Sequence, residues 1–253
     1  MHIREEEMLK ELNKRQQDVL SMIVREYVET AQPVGSRYIS RKLGLSSATI
    51  RNVMADLEEF GYIAQPHTSA GRIPTDKGYR YYIDSLMQLK SVKAETVKSM
   101  KDQYARMVVR SLEDALEETS HLVSTLTNYV GVTLFSQYDK LYLDGASHII
   151  EQPEFHDLRK LYALMKCLEQ KRELLDLLRH DFETDGLTIH IGKENASSSL
   201  NECSIVTKGY KVRGKVSGRL GVIGPKRMEY DKVIPTVESL ADTLTDIFEE
   251  MEI

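Results

Sequence analysis

Between residues 13 and 29 the apolar side chains Val19, Leu20, Ile23, Val24 and Tyr27 recur at i, i+1, i+4, i+5 and i+8. That is one stripe of a 3.6-residue period, and it predicts an amphipathic helix. Gln32-Pro33-Val34-Gly35 interrupts the pattern, and Ser36 stands where it would cap a short second helix with Ile39 and Leu43 inward and Gly44 as its stop. Ser46 is placed to cap a third helix, whose inward set is Ile50, Val53, Met54, Leu57 and Phe60 and which stops at Gly61. Two short helices joined by a tight turn make a helix-turn-helix. Residues 62–65 and 71–73 are short strand candidates around 66–70, a run of turn formers, and predict a small hairpin. Three helices followed by a hairpin spell a winged helix-turn-helix. Thr75 or Asp76 then opens a further helix running to Leu89, with Tyr79, Tyr82, Ile83, Leu86 and Met87 along one face.

A polar stretch from Lys90 to Lys98 marks the domain boundary. The expected organisation is a winged helix-turn-helix at 1–90, a helical connector at 91–128 and an α/β domain at 129–253. Residues 96–127 read as helix through Met107, Val108, Leu112, Ala115, Leu116, Thr119, Leu122, Val123 and Leu126. After Asn128 the period changes. Residues 129–135, 140–143, 187–191, 203–210 and 219–223 read as strands, and 155–180 and 235–251 as helices. The fold class is therefore α+β, with a strand order that periodicity does not supply. The stretch 193–202 is polar, with little to bury, and is expected to open at low free energy.

A chain of 253 residues accommodates one or two domains. With 41% hydrophobic and 29% charged residues it is neither collagen-like nor disordered. No apolar run reaches the roughly 18 residues a bilayer span needs, and the charged first ten residues do not read as a secretory signal. Cys167 and Cys203 fit neither a disulfide framework nor a zinc module, so a reducing cytoplasm is expected.

The net charge of −5 is unevenly spread. Residues 1–90 carry 13 Lys+Arg against 12 Asp+Glu, which leaves 21 against 27 for the remainder. Within the first part, 31–55 holds Arg37, Arg41, Lys42 and Arg51 and no acid before Asp56, a local basic stripe of the kind a phosphate backbone would meet. At 100° per residue the outward face of the third helix carries Ala48, Arg51, Asn52 and Ala55, with Thr49 on its flank. Small alanines allow close approach, Arg offers a bidentate fork to guanine, Asn pairs with adenine, and Thr reaches a phosphate or a thymine methyl group. The plain alternative is a solvated helix face; the basic stripe and the hairpin weigh against it. His67, Thr68, Ser69 and Arg72 in the hairpin are candidates for backbone or minor-groove contact, although loops are polar in any case.

Other chemistry is absent from the pattern. The glycines at 209, 214, 218, 221 and 224 fit neither a Walker loop nor a dinucleotide fingerprint, and turn glycines are the better reading. Seven histidines show no HxxxH or HExxH spacing, and no serine lies in GxSxG. Cys167 lies on the apolar face of Leu161, Leu164, Met165 and Leu168, as a small core residue does. No enzyme and no cofactor are expected.

Several stretches together carry a resemblance: Arg15-Gln16, Pro33-Val34-Gly35-Ser36, Ser47-Ala48-Thr49-Ile50-Arg51-Asn52, Met54-Ala55-Asp56-Leu57-Glu58, and the continuous run from Gln65 to Arg80. They strongly resemble the bacterial heat-inducible transcription repressors of the HrcA family. Glu151-Gln152-Pro153-Glu154-Phe155 and the run from Gly221 to Met228 extend the likeness over nearly the whole chain. The resemblance implies a winged helix that binds the CIRCE inverted repeat ahead of chaperone operons (groE, dnaK), followed by a GAF-like α/β domain. It further implies a homodimer that leaves DNA on heating and is helped into its active state by the chaperonin GroEL. The expected DNA-binding set is Arg37, Arg41, Lys42, Ser47, Ala48, Thr49, Arg51, Asn52, His67, Thr68, Ser69 and Arg72, with Arg51 and Asn52 reading bases.

One departure stands out. Family members usually carry an inserted dimerisation subdomain after the first GAF-like strand, whereas here residues 130–138 run almost directly into Lys140-Leu141-Tyr142-Leu143. The pairing surface of a dimer must then come from elsewhere. The stripes of 96–127, through Leu112 and Leu116, and of 76–89 are its candidates, unless both pack inside their own chain. Three other readings stay open: a winged-helix regulator whose GAF-like domain senses a small ligand, a purely protein-binding module using the winged helix, and an enzyme built on the C-terminal domain, which the lack of a nucleophile, metal or phosphate signature argues against.

Overall fold

Asn13 opens the first helix, α1 (Lys14–Thr30), through a reciprocal cap in which its side chain accepts from the Gln16 amide while Gln16 accepts from the Asn13 amide, each at 3.1 Å. The computed structural model describes residues 11–89, 102, 111–136, 139–179, 181 and 184–250, and the chain divides into two compact units, Met1–Met87 and Gln88–Ile253. The stripe read from the sequence is the buried one. Val19, Leu20, Ile23 and Val24 are fully enclosed, each contributing about 1.5–3 kcal/mol through burial.

The second helix, α2 (Ser36–Leu43), starts without the expected serine cap: Gly35 holds the cap position and no side chain bonds there. The entry is set instead by pairing at long range. Val34 and Arg72 exchange both backbone hydrogen bonds at 2.9 Å, and this fixes the turn that precedes the helix. Gly44, at φ +67°, closes α2 as expected. In α3 (Ser47–Glu59) the Ser46 side chain accepts from the Thr49 amide at 3.0 Å, and Ile50, Val53, Met54 and Leu57 are buried. The hairpin is shorter than expected, β1 (Ile63–Ala64) against β2 (Ile73–Pro74). Its loop is braced by the Gln65 amide group, which donates to the Thr68 and Ala70 carbonyls at 3.0 Å and so leaves the ladder. Thr75 caps α4 (Asp76–Tyr81), which widens into a π-helical turn over Tyr82–Leu86 and ends in extended backbone at Met87, short of Leu89. The change of pitch alters the face: Tyr79, Tyr81 and Tyr82 are buried while Ile83, Leu86 and Met87 are only partly covered.

In the second unit α5 (Leu112–Thr127) ends at Asn128, in the left-handed region at φ +58°. Residues 96–101 and 103–110 of the expected helix, Met107 and Val108 among them, lie outside the described residues. Five strands follow: β3 (Val130–Phe135), β4 (Lys140–Asp144), β5 (Leu187–Ile191), β6 (Cys203–Val212) and β7 (Lys215–Pro225). They form one antiparallel sheet in the order β4-β3-β7-β6-β5. Residues 155–180, expected as one helix, are interrupted: a 3₁₀ turn at Pro153–His156 precedes α6 (Leu158–Glu169), and Gln170 separates that from α7 (Lys171–Arg179). The last helix, α8 (Tyr230–Glu250), begins five residues before Pro235, which sits in its second turn and forgoes only the bond to the Asp231 carbonyl.

Period-two alternation sorts the sheet faces. Val130, Val132, Leu134, Ile205 and Ile223 meet Leu164, Cys167, Leu168, Leu174 and Leu178 of α6 and α7 in one core. Cys167 and Cys203 are buried there as thiols, and desolvation pushes the Cys203 thiol pKa up, which keeps it protonated and inert. The other face lies under α5 and α8, where Tyr210 meets Phe248 with ring centroids 5.8 Å apart and the Ser120 hydroxyl donates to Thr133 at 2.9 Å. Ala115, Leu116, Leu122 and Val123 are buried in this layer, so the part of the offered dimer seam from Ala115 onward packs within its own chain, while Leu112 is only partly covered.

Two further expectations are corrected. Of the five glycines read as turn residues, only Gly214 lies in a turn, the two-residue Arg213-Gly214 link between β6 and β7; Gly209 is in β6 and Gly218, Gly221 and Gly224 are in β7. β7 is the central strand, and a Cβ at Gly221 would lie 2.0 Å from the Val206 carbonyl oxygen, so close strand approach rather than turning excludes a side chain. The polar stretch at 193–202 is tied down rather than loose. Asn195, buried, donates to the Gly192, Leu200 and Cys203 carbonyls at 2.8–3.1 Å, and Leu200 is fully enclosed.

The sequence gives no warning of the polar hub in this unit. Arg219, in β7, is only 1% exposed. Its Nε donates to Thr207 Oγ1 at 3.0 Å, Nη1 to the Asp181 and Thr184 carbonyls at 2.6 and 2.8 Å, and Nη2 to the Gly186 carbonyl and Thr188 Oγ1 at 3.0 and 2.8 Å. Burial lowers its pKa while the charges of Asp181 and Asp185 raise it, with burial the larger effect. Asp181 in turn bonds Thr188 at 2.9 Å and His190 at 2.8 Å. One guanidinium thus pins Asp181, Thr184 and Gly186 to the sheet.

Candidate nucleic-acid interface

The inward set of α3 closes the core of the first unit, and its outward side is left open: Ala48, Arg51, Asn52 and Ala55 are all exposed. The Arg51 Nε leans on its own helix, donating to the Ser47 carbonyl at 3.3 Å, which directs the guanidinium along the helix surface. Thr49 is half-buried, and its hydroxyl is 2.8 Å from Ser46 Oγ, so it serves the helix cap. Ser47, in the first turn, is also half-buried.

On α2, Arg37, Arg41 and Lys42 are exposed. Lys42 Nζ stands 5.7 Å from the Tyr38 ring centroid, and the Tyr38 hydroxyl donates to Glu26 of α1, a bond that raises the tyrosine pKa. Tyr38 therefore anchors α2 to α1 beneath the basic side chains. At the wing, His67, Thr68 and Ser69 are exposed at the loop tip, with His67 Nδ1 3.4 Å from Ser69 Oγ.

A groove of about 530 Å³ runs between these parts, lined by Gly35 and Ser36, by Arg37, Arg51 and Arg72, and by Ser69. It gathers Arg37, Arg51, Ser69 and Arg72 from the expected set around one surface, whereas Arg41, Lys42, Ser47, Ala48, Thr49, Asn52, His67 and Thr68 do not line it. Three arginines at one groove suit a polyanion. Arg72 differs from the others: it is half-buried, and both its Nε and Nη2 lie on Glu58 Oε2, at 3.0 and 2.9 Å. The spacing of charges along the sequence does not reveal that pairing, because the partners are 14 residues apart and belong to different elements.

The second unit offers a different chemistry. A cleft of about 610 Å³ beside α5 and β4 is lined by Glu117, Glu118, Asp144 and His121, with Lys171 as its one primary cation, and is ill suited to phosphate. Among the described residues no group of three or more His, Cys, Asp or Glu could hold a metal ion, and no helix is long and apolar enough to cross a membrane.

Comparison with known proteins agrees with this division. A family model described as "Winged helix-turn-helix transcription repressor, HrcA DNA-binding" matches residues 11–87, and one described as "HrcA protein C terminal domain" matches 107–234. A heat-inducible transcription repressor HrcA from Pelotomaculum thermopropionicum is 33% identical, over 95% of this chain and 98% of the relative. Its namesake from Chlorobium phaeobacteroides is 32% identical, over 94% and 99%. The first of these alignments runs over 341 positions yet takes in only 95% of 253 residues, so about a hundred positions of the relative have no counterpart here. A crystal structure of a hypothetical protein at 2.2 Å resolution shares the fold with a TM-score of 0.76 at 22% identity, covering 96% of this chain and 99% of that one. The chain belongs to the HrcA family of heat-inducible transcription repressors.

Proposed function

We propose that this chain represses heat-shock chaperone operons of the groE and dnaK type by binding the CIRCE inverted repeat in double-stranded DNA, and releases it on heat stress. The observation that carries the reading is the outward face of α3, where Arg51 and Asn52 stand exposed between two alanines beside a groove of three arginines. Such a face fits the major groove, with Arg51 reading guanine, Asn52 reading adenine and the alanines permitting close approach. Arg37, Arg41, Lys42 and Ser47 hold phosphates, and His67, Thr68 and Ser69 reach the backbone or minor groove from the wing. The protein binds rather than reacts, needs no cofactor, and works in the cytoplasm.

An inverted repeat calls for two recognition helices related by a two-fold axis, so the active form is a symmetric homodimer. The burial of Ala115, Leu116, Leu122 and Val123 within their own chain favours a seam on another surface. The family resemblance adds the chaperonin GroEL as the partner that restores the active state.

A footprint of the full chain on the promoter of its own chaperonin operon tests the reading. The expected result is two equal protected half-sites, lost on warming, with sedimentation of the complex at two chains per operator. Affinity equal for promoter and random DNA at the same salt concentration would overturn it.

A further inference from the structure

Arg72 is where three parts of the first unit meet. Its backbone exchanges both hydrogen bonds with Val34, in the turn ahead of α2, and its guanidinium grips Glu58 near the end of α3. The neighbouring Gly71 passes so close that a Cβ there would lie 2.5 Å from the Val34 carbonyl carbon and oxygen, leaving the wing strand no lateral freedom at this point. Beyond these contacts the wing is held at its far side by Thr75, which donates to the Gly61 carbonyl at 2.6 Å. The loop tip with His67, Thr68 and Ser69 is exposed and is braced internally by Gln65. The angle between that tip and the recognition helix is therefore set at the root of the wing.

We propose that Arg72 and Glu58 are positioning residues for DNA binding: their ion pair locks the wing to the recognition helix so that the loop tip and Arg51 meet one duplex together. This rests on the DNA-binding reading above and replaces the expected role of Arg72 as a contact to DNA. The electrostatics make the two roles separable. Glu58 is an acid on a surface that meets a polyanion, so on charge alone its removal tightens binding. If it positions the wing, its removal loosens binding. A guanidinium that touches a phosphate also contributes to the salt dependence, whereas one that acts through Glu58 does not.

A double-mutant cycle on the full chain decides between them, using a duplex with the CIRCE inverted repeat and a random duplex of equal length across a salt series. Glu58→Ala and Arg72→Ala should each weaken specific binding by about three- to tenfold, as expected for a partly exposed ion pair with two hydrogen bonds to one carboxylate oxygen. The double variant should be no weaker than either single one, and the salt slope should be unchanged. The exchanged pair, Glu58→Arg with Arg72→Glu, should recover most of the loss, a rescue that a phosphate-binding arginine would not show. Circular dichroism confirms that each variant is folded. Tighter binding by Glu58→Ala, additive losses, or a salt slope reduced by about one in Arg72→Ala would overturn the inference while leaving the repressor reading intact. A wild-type chain that fails to distinguish the two duplexes would defeat the repressor reading, and this inference with it.

Discussion

Arg219→Met should lower the stability of the C-terminal unit by about 3–5 kcal/mol, the range for breaking a buried charged network by removing one partner. Methionine fills much of the volume but leaves the Asp181, Thr184 and Gly186 carbonyls without their donors. Hydrogen exchange at the β6 and β7 amides in the full chain measures the effect without requiring the two units to unfold together. A loss under about 1 kcal/mol would mean that water satisfies those carbonyls equally well. The same hub makes an acid-pH prediction. Burial on its own raises the Asp181 pKa, but the hydrogen bonds from His190 and Thr188 and the Arg219 charge outweigh it and hold the group below its ordinary value. A depressed folded-state pKa means that the stabilisation is complete above the unfolded value of about 3.9 and disappears as pH falls through the folded one. Asp181→Asn should therefore flatten the acid limb of the stability profile.

Arg51→Ala and Asn52→Ala should each weaken operator binding by about 1–3 kcal/mol, the worth of a bidentate base contact, while leaving the melting temperature unchanged. Both side chains are exposed, so neither substitution opens a cavity. Binding to random DNA should fall far less, and the discrimination lost should map to single base pairs in each half-site. Equal losses on operator and random duplexes would make these residues phosphate contacts and move the base readout elsewhere on α3 or into the wing.

The first unit was legible because its helices announce themselves locally. The stripe of α1, the Ser46 cap and the outward face of α3 depend on residues within a few turns of one another, and each lies where the period places it. What escaped were features set by contacts between distant residues. The Val34–Arg72 bridge moved the start of α2 away from the expected serine cap, and Glu58 pairs with Arg72, which the hairpin reading had offered as a contact to DNA. The second unit was harder for the same reason. Strand order follows from pairings such as β3 with β7, some ninety residues apart, which no local period encodes. An arginine inside an apolar strand reads as a surface residue until its carbonyl partners at Asp181, Thr184 and Gly186 are known.

The link between β3 and β4 carries a consequence for how such chains diversify. Phe135 and Lys140 are already partners in the antiparallel ladder, so the backbone leaves the sheet and re-enters it through a single doorway. The family resemblance puts the relatives' extra segment there, and that segment needs only neighbouring ends to be grafted in or excised without disturbing the register on either side. The short form can thus be viewed as a chassis and the long form as the same chassis with a detachable module. A chimera carrying a relative's module between Ser136 and Asp139 should keep the melting temperature of the C-terminal unit, while the module independently resets how two chains associate.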